Sequence, residues 1–161
     1  MPSVREIYSN HCSQLPSISN LGQCKWRYAI VDGAKIDIVD AKKGSHGVCP
    51  LCGKELVPRK GDVRNWHWAH AAGRSCDDWY EPKGAWHRGW QDRFERSWQE
   101  VPVIKTMCGV EKRHIADIKT TNGWTIEFQY SHLSNGGISE RQAFYGEMVW
   151  VVAGMRLCTD K

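Results

Sequence analysis

Apolar and polar residues alternate most cleanly near residue 127, where Trp124, Ile126, Phe128 and Tyr130 interleave with Thr125, Glu127, Gln129 and Ser131. A strand sends successive side chains to opposite faces, so the apolar set is predicted to face a core and Glu127 and Gln129 to share the other side. The preceding strand, Lys112 to Thr120, carries Asp117, and a Thr-Asn-Gly turn joins the two, which brings Asp117 beside Glu127. Upstream, Lys25 to Val39 reads as a hairpin turning at Asp32-Gly33. Trp86, Trp90, Phe94 and Ser97 or Trp98 recur at helical spacing, predicting an amphipathic helix that ends before Pro102 and is followed by a strand from Val101 to Met107. Ser139 with Gln142 suggests the capped start of a second helix, and the apolar run Val149 to Ala153 a buried strand. The Glu81-Pro-Lys-Gly84 stretch breaks regular structure and is the expected domain boundary. The pattern is α+β: an arm over residues 1–24, a β module over 25–80, and a domain over 81–161 ordered helix, three strands, helix, strand.

Composition narrows this picture little. A chain of 161 residues, 41% apolar and with nine tryptophans, can bury a core as one ordinary domain or two small ones. The formal charge of +4 is compatible with an anionic partner. No stretch reaches the roughly 20 apolar residues that span a bilayer, and the N-terminus has no apolar signal core, so a cytoplasmic protein without a membrane partner is expected. Seven cysteines among seven histidines fit a reducing compartment with a metal site better than a disulfide framework.

Cys49-Pro-Leu-Cys52-Gly53 has the spacing of a zinc knuckle. Structural Zn²⁺ needs four ligands, and Cys76 is the natural third. The fourth is His70 or His67; the two-residue gap between them is too short for both to bind. His70 is preferred as nearer to Cys76, with His67 the alternate ligand and His46 an outside candidate. Such a site is closed, so its role is structural. The other four cysteines lack such spacing and read as plain thiols.

Asp117 and Glu127 are oxygen ligands on neighbouring strands, a donor set suited to Mg²⁺ or Mn²⁺, and the chemistry implied is phosphodiester hydrolysis. Gln129 can orient water or donate to a phosphate oxygen but carries no charge. Lys119, two residues beyond Asp117 on the same face, is the nearest cation by strand parity. Arg141 and Tyr145 share one helix face and could hold substrate phosphate, and His87 could shuttle a proton or contact phosphate. Taken alone, Glu127 and Gln129 would read as the solvent face of a half-buried strand; the joint pattern with Asp117, Arg141 and Tyr145 argues for a site. Trp66, Trp68 and Trp79 beside Arg59, Lys60, Arg64 and Arg74 could stack on unpaired bases.

Asp117 followed after a turn by Glu127-Phe128-Gln129 resembles the Asp…Glu-x-Lys signature, PD-(D/E)XK, of the restriction-endonuclease-like nucleases, with Gln129 in the place of the usual lysine. More specifically, His-Ile-Ala-Asp at 114–117, Ile-Glu-Phe-Gln-Tyr-Ser at 126–131, Arg-Gln-Ala-Phe-Tyr at 141–145 and Met-Val-Trp-Val-Val at 148–152 are similar to the competence protein CoiA-like family, in that family's order. The likeness extends upstream to Trp86-His87, Cys49 to Gly53 and Trp66 to His70. Many relatives place a carboxylate just before the Trp-His pair and a lysine four residues after the histidine; here Lys83 and Ala85 precede it and Gln91 follows. The resemblance implies a small zinc-binding β module followed by a restriction-endonuclease-like αβββαβ core, and a Mg²⁺- or Mn²⁺-dependent deoxyribonuclease acting on DNA, single strands included, in uptake, recombination or defence. Two other readings stay open: a catalytically inactive DNA-binding zinc protein, and a nuclease toxin or defence effector.

Overall fold

The structure, a computed structural model, describes residues 24–62, 65–73 and 75–154; the predicted arm before Cys24 lies outside them. Six short strands form the first sheet: β1 (Lys25–Trp26), β2 (Tyr28–Val31), β3 (Ala34–Asp37), β4 (Gly47–Val48), β5 (Glu55–Arg59) and β6 (His67–His70). They pair in the order β1-β6-β5-β4-β2-β3, antiparallel throughout. Asp32 and Gly33 join β2 to β3 with φ of 49° and 79°, the positive pair that a twisted two-residue hairpin needs. Trp26, Leu56 and Trp68 fill the core on this sheet, and Ile115 from the second sheet packs into the same cluster.

The rest of the chain runs α1 (Ala85–Gln91), a 3-10 turn (Arg96–Trp98), β7 (Gln99–Met107), β8 (Val110–Lys119), β9 (Thr125–Gln129), α2 (Asn135–Tyr145) and β10 (Met148–Val152). This is the expected order of helix, three strands, helix and strand. The sheet order is β10-β9-β8-β7, with β10 parallel to β9 and the other pairs antiparallel. A parallel neighbour requires a crossover, and α2 supplies it. No helix among the described residues is long and apolar enough to cross a membrane.

Several local expectations shift. The first helix stops at Gln91, yet its apolar stripe survives the break: His87, Trp90 and Phe94 all reach the Phe128 ring, at centroid distances of 5.4, 6.1 and 6.1 Å. The strand expected from Val101 begins at Gln99 and carries Pro102 inside it, tolerated because β7 is a sheet edge. The second helix begins earlier than Ser139, capped by Ser134, whose hydroxyl accepts from the Gly137 N–H at 3.1 Å. β10 is an edge strand with Val149 and Val152 exposed, not a buried one.

Burial around β9 does not follow its apolar alternation: both faces of the strand are covered, and the apolar residues flanking it are the open ones. Glu127 and Gln129 are only 7% and 6% exposed, whereas Trp124 and Tyr130 are 43% and 57% exposed. The polar side lies beneath Arg141 and Tyr145 of α2, and α1 covers the apolar side only around Phe128. The solvent-face reading of Glu127 and Gln129 is therefore excluded.

Asp77 joins the two sheets. Its carboxylate accepts from the Ile115 N–H at 2.9 Å, faces His114 Nδ1 at 2.9 Å, and accepts from the Trp79 N–H at 3.0 Å. Trp79 stacks on the His114 ring, centroids 3.4 Å apart and planes 5° from parallel. Removing the carboxylate would strand buried donors on β8. Asp77→Ala is expected to cost about 3 kcal/mol of stability, measured by urea unfolding; a loss below about 1 kcal/mol would show that the joint rests on apolar packing instead.

Candidate functional site

The knuckle after β4 turns tightly: the Cys49 N–H donates to the Lys54 carbonyl at 2.8 Å, the Gly53 N–H donates back to the Cys49 carbonyl at 2.9 Å, and Gly53 takes a φ of 69°. This turn directs Cys49 and Cys52 toward His70 at the end of β6 and toward Cys76 beyond it. The ligand atoms of these four residues all lie within 4.8 Å of one another. Cys49 Sγ is 3.7 Å from Cys76 Sγ, and Cys52 Sγ is 3.3 Å from His70 Nε2. A tetrahedron with Zn–S bonds of about 2.3 Å has edges of about 3.8 Å, so the cluster is compatible with zinc. His67, the alternate ligand, is turned away and pairs through Nδ1 with the Asn65 carbonyl at 2.8 Å; His46 faces Glu55. Among the remaining cysteines, Cys24 is buried against Ser75, and Cys108 is disulfide-bonded rather than a plain thiol.

A second centre forms where the β8–β9 ladder stops. The strands pair at Ile118↔Ile126 and Lys119↔Thr125, and one rung further on the carboxylates intervene. The Asp117 N–H donates to Glu127 Oε1 at 3.1 Å, and the Phe128 N–H donates to Asp117 Oδ2 at 3.0 Å. The acids thus take the bonds that the two backbones would otherwise exchange, and both line a cleft of about 480 Å³. The other oxygen of Asp117, Oδ1, meets Lys83 Nζ at 2.7 Å. His87 Nε2 lies 3.0 Å from that same oxygen, within ion-pair range but out of line for a hydrogen bond.

On the far side, Arg141 places Nη1 4.0 Å from Glu127 Oε2 and donates to Gln129 Oε1 at 3.4 Å and to the Trp79 carbonyl at 3.3 Å. Gln129 donates to Glu81 Oε1 at 3.2 Å and to the Ser131 carbonyl at 2.9 Å. Tyr145 is buried against the cleft, and burial pushes its hydroxyl well above the usual range. Of the residues selected from sequence, Asp117, Glu127, Gln129, His87, Arg141 and Tyr145 line this cleft. Lys119 does not: its ammonium clamps its own hairpin, donating to the Gly123 carbonyl at 2.6 Å and to Thr125 Oγ1 at 3.0 Å. Strand parity ranked Lys119 first, but the turn carbonyl is closer to it than the cleft is.

Burial alone would raise the Asp117 carboxyl, but Lys83 and His87 outweigh it and hold the group below the usual carboxylate range. Glu127 moves the other way: burial first and the Asp117 charge second push it well above that range. Two carboxyls sharing one site separate in this way because both cannot ionise cheaply. Of the two, Glu127 is the acid that its surroundings push toward the protonated form.

Sequence reasoning missed two cleft groups, Lys83 and Glu81, and behind Lys83 the buried Glu100, whose Oε1 takes Lys83 Nζ at 3.2 Å and Arg88 Nη1 at 3.1 Å. No periodicity marks them, since Lys83 and Glu81 sit in the irregular strap ahead of α1. Asp77, Asp78 and His114 also lie close enough to share a cation, although the Asp77 oxygens already take the β8 joint described above.

Residues 32–78 match the family model of Competence protein CoiA, N-terminal domain. The matched span, under a third of the chain, runs from the β2–β3 turn to Asp78 and contains all four residues of the Cys/His cluster. It ends before Asp117 and Glu127. No curated protein and no solved structure matches the chain.

Two outcomes follow from this geometry. Purified protein should carry about one zinc per chain by elemental analysis, lost in Cys49→Ser and retained in His67→Ala; zinc loss in the His67 variant instead would move the fourth ligand to that ring. If a divalent cation binds at Asp117 and Glu127, the raised Glu127 carboxyl makes Mn²⁺ affinity, measured by calorimetry, rise with pH above the ordinary carboxylate range. Glu127→Gln should bind more weakly and flatten that dependence, whereas an unchanged pH dependence would place the displaced proton on another group.

Proposed function

We propose that this protein hydrolyses DNA phosphodiester bonds with a divalent cation held by Asp117 and Glu127. The observation that carries the reading is the meeting of two carboxylates from adjacent strands in one ladder gap, opening on the cleft. Their hard oxygens suit Mg²⁺ or Mn²⁺, and the Phe128 carbonyl is a plausible further ligand. When bound there, such a cation supplies polarisation of the scissile phosphate and a lowered pKa for an attacking water. In the reaction the water oxygen bonds to phosphorus, one ester P–O bond breaks, and the departing oxygen takes up a proton. Gln129, anchored by Arg141 and Glu81, is placed to orient that water. His87 stands beside Asp117 as a proton shuttle. Arg141 braces Glu127 from α2.

The match to the CoiA N-terminal domain supports a competence-related role, in DNA uptake or recombination. At the cleft mouth the Trp86 and Tyr130 rings lie 5.7 Å apart, a pair suited to stacking on an unpaired base, which favours single-stranded substrate. The tryptophans expected to stack from sequence are mostly committed elsewhere: Trp68 is buried and Trp79 lies on His114. Trp66, half-exposed with Lys60 over its ring, remains available as a secondary contact.

One observation favours the second reading, a DNA-binding protein without catalysis. The Lys83 ammonium on Asp117 could neutralise that carboxylate in place of a metal. Cleavage of single-stranded oligonucleotide and plasmid in Mg²⁺ or Mn²⁺ separates the two. Asp117→Ala and Glu127→Ala should each lower the rate at least about 1,000-fold, with single strands cut faster than duplex. Wild-type protein that binds DNA yet cleaves no better than the variants would establish the binding reading.

A further inference from the structure

The hydrolase reading leaves a deficit of positive charge, and the inference below rests on that reading. As the P–O bond breaks, negative charge collects on the departing oxygen and the non-bridging oxygens, and a preorganised cation lowers the barrier. Gln129 has no charge to offer. Lys119 is held at the hairpin turn. Arg141 is occupied by Gln129, Glu81 and the Trp79 carbonyl. Among the described residues lining the cleft, Lys83 carries the ammonium that lies directly against Asp117, brought there by the strap between Glu81 and Gly84.

Its setting is built rather than incidental. The Lys83 side chain is 7% exposed and bridges Asp117 on β8 and Glu100 on β7. Glu100 lies between the pairs Gln99↔Ile118 and Val101↔Ala116, level with Asp117, so three neighbouring strands bring Glu100, Asp117 and Glu127 to one rung. Glu100 takes a φ of 44°, a left-handed conformation that a residue with a long side chain seldom adopts. Its carboxylate is gripped by the Arg27 N–H at 2.7 Å, Arg88 Nη1 at 3.1 Å and Lys83 Nζ at 3.2 Å. Strained backbone held this firmly behind the cleft wall fixes where the Lys83 ammonium lies, the one cleft-lining group among the three that it holds.

We propose that Lys83 is the catalytic cation of this cleft, contacting an oxygen of the scissile phosphate in place of a charge at position 129, and that Glu100 is the positioning residue that aims it. No proton leaves the lysine in this role; it stabilises charge while water adds across the P–O bond. The rival role is that of a counter-ion for Asp117, which a bound divalent cation would make redundant.

Relocating the lysine tells these roles apart. Single-turnover cleavage of a single-stranded oligonucleotide at saturating Mn²⁺ is compared for wild type, K83M, K83M/Q129K, E100Q and E100Q/K83M/Q129K. Mn²⁺ binding by calorimetry checks that each variant keeps an intact site. K83M should lose at least about 100-fold in rate without weaker Mn²⁺ binding, since it removes a cation competing for Asp117. Adding Q129K should recover at least about tenfold. E100Q should slow the wild-type background about tenfold yet leave K83M/Q129K unaffected, because a positioning residue has nothing to position once the lysine has moved. A K83M rate within about threefold of wild type, or a loss that Q129K does not recover, overturns the proposal. Wild type that fails to cleave at all removes the hydrolase reading itself, a separate result that takes the lysine's role with it.

Discussion

Where β8 and β9 part, two backbone N–H groups bond to carboxylates instead of to the facing strand, and most of the cleft follows from that exchange. A sheet interior has little water, so each acid placed there must be stabilised by donors or cations close by. Asp117 receives the Phe128 N–H, Lys83 and His87; Glu127 receives the Asp117 N–H, with Arg141 more distant. The unequal supply separates the two acids. The better-supplied one is pushed toward its ionised form and the other toward its protonated form, so a divalent cation held by both would be favoured by loss of a proton.

The same gap ties the cleft to the Cys/His cluster. Cys76 belongs to that cluster, and the next residue, Asp77, is bound to the β8 backbone at Ile115, two positions from Asp117. The aromatic wall of the cleft includes Trp26 and Tyr80, packed edge to face at 5.2 Å, together with Trp79. A zinc cluster that holds this part of the chain in place would therefore help to define the cleft's shape without touching its chemistry. The strap of residues 81–84, read from composition as a boundary, lines the cleft and delivers Lys83 to it.

How much of this was legible depended on whether the signal was local. Ligand spacing singled out Cys49, Cys52 and Cys76, and proximity to Cys76 preferred His70 over His67, because a metal's coordination number constrains sequence directly. Period-two alternation placed Glu127 and Gln129 on one face and Asp117 beside them. It did not reveal that this face is buried as well as the apolar one, since burial is decided by where α2 packs. Lys119 was chosen by parity, and a turn carbonyl within its reach decided otherwise. Lys83 and Glu100 were invisible for a further reason: one sits in an irregular strap and the other in a left-handed backbone conformation inside a strand, and neither leaves a periodic trace.

The account stands on one cation site shared by residues 117 and 127. A crystal soaked in Mn²⁺ and measured for anomalous scattering locates such an ion without reliance on turnover. The expected result is a peak within reach of the Asp117 and Glu127 carboxylates, lost in Glu127→Gln. Density confined to Asp77, Asp78 and His114, with none between the strands, would contradict the account.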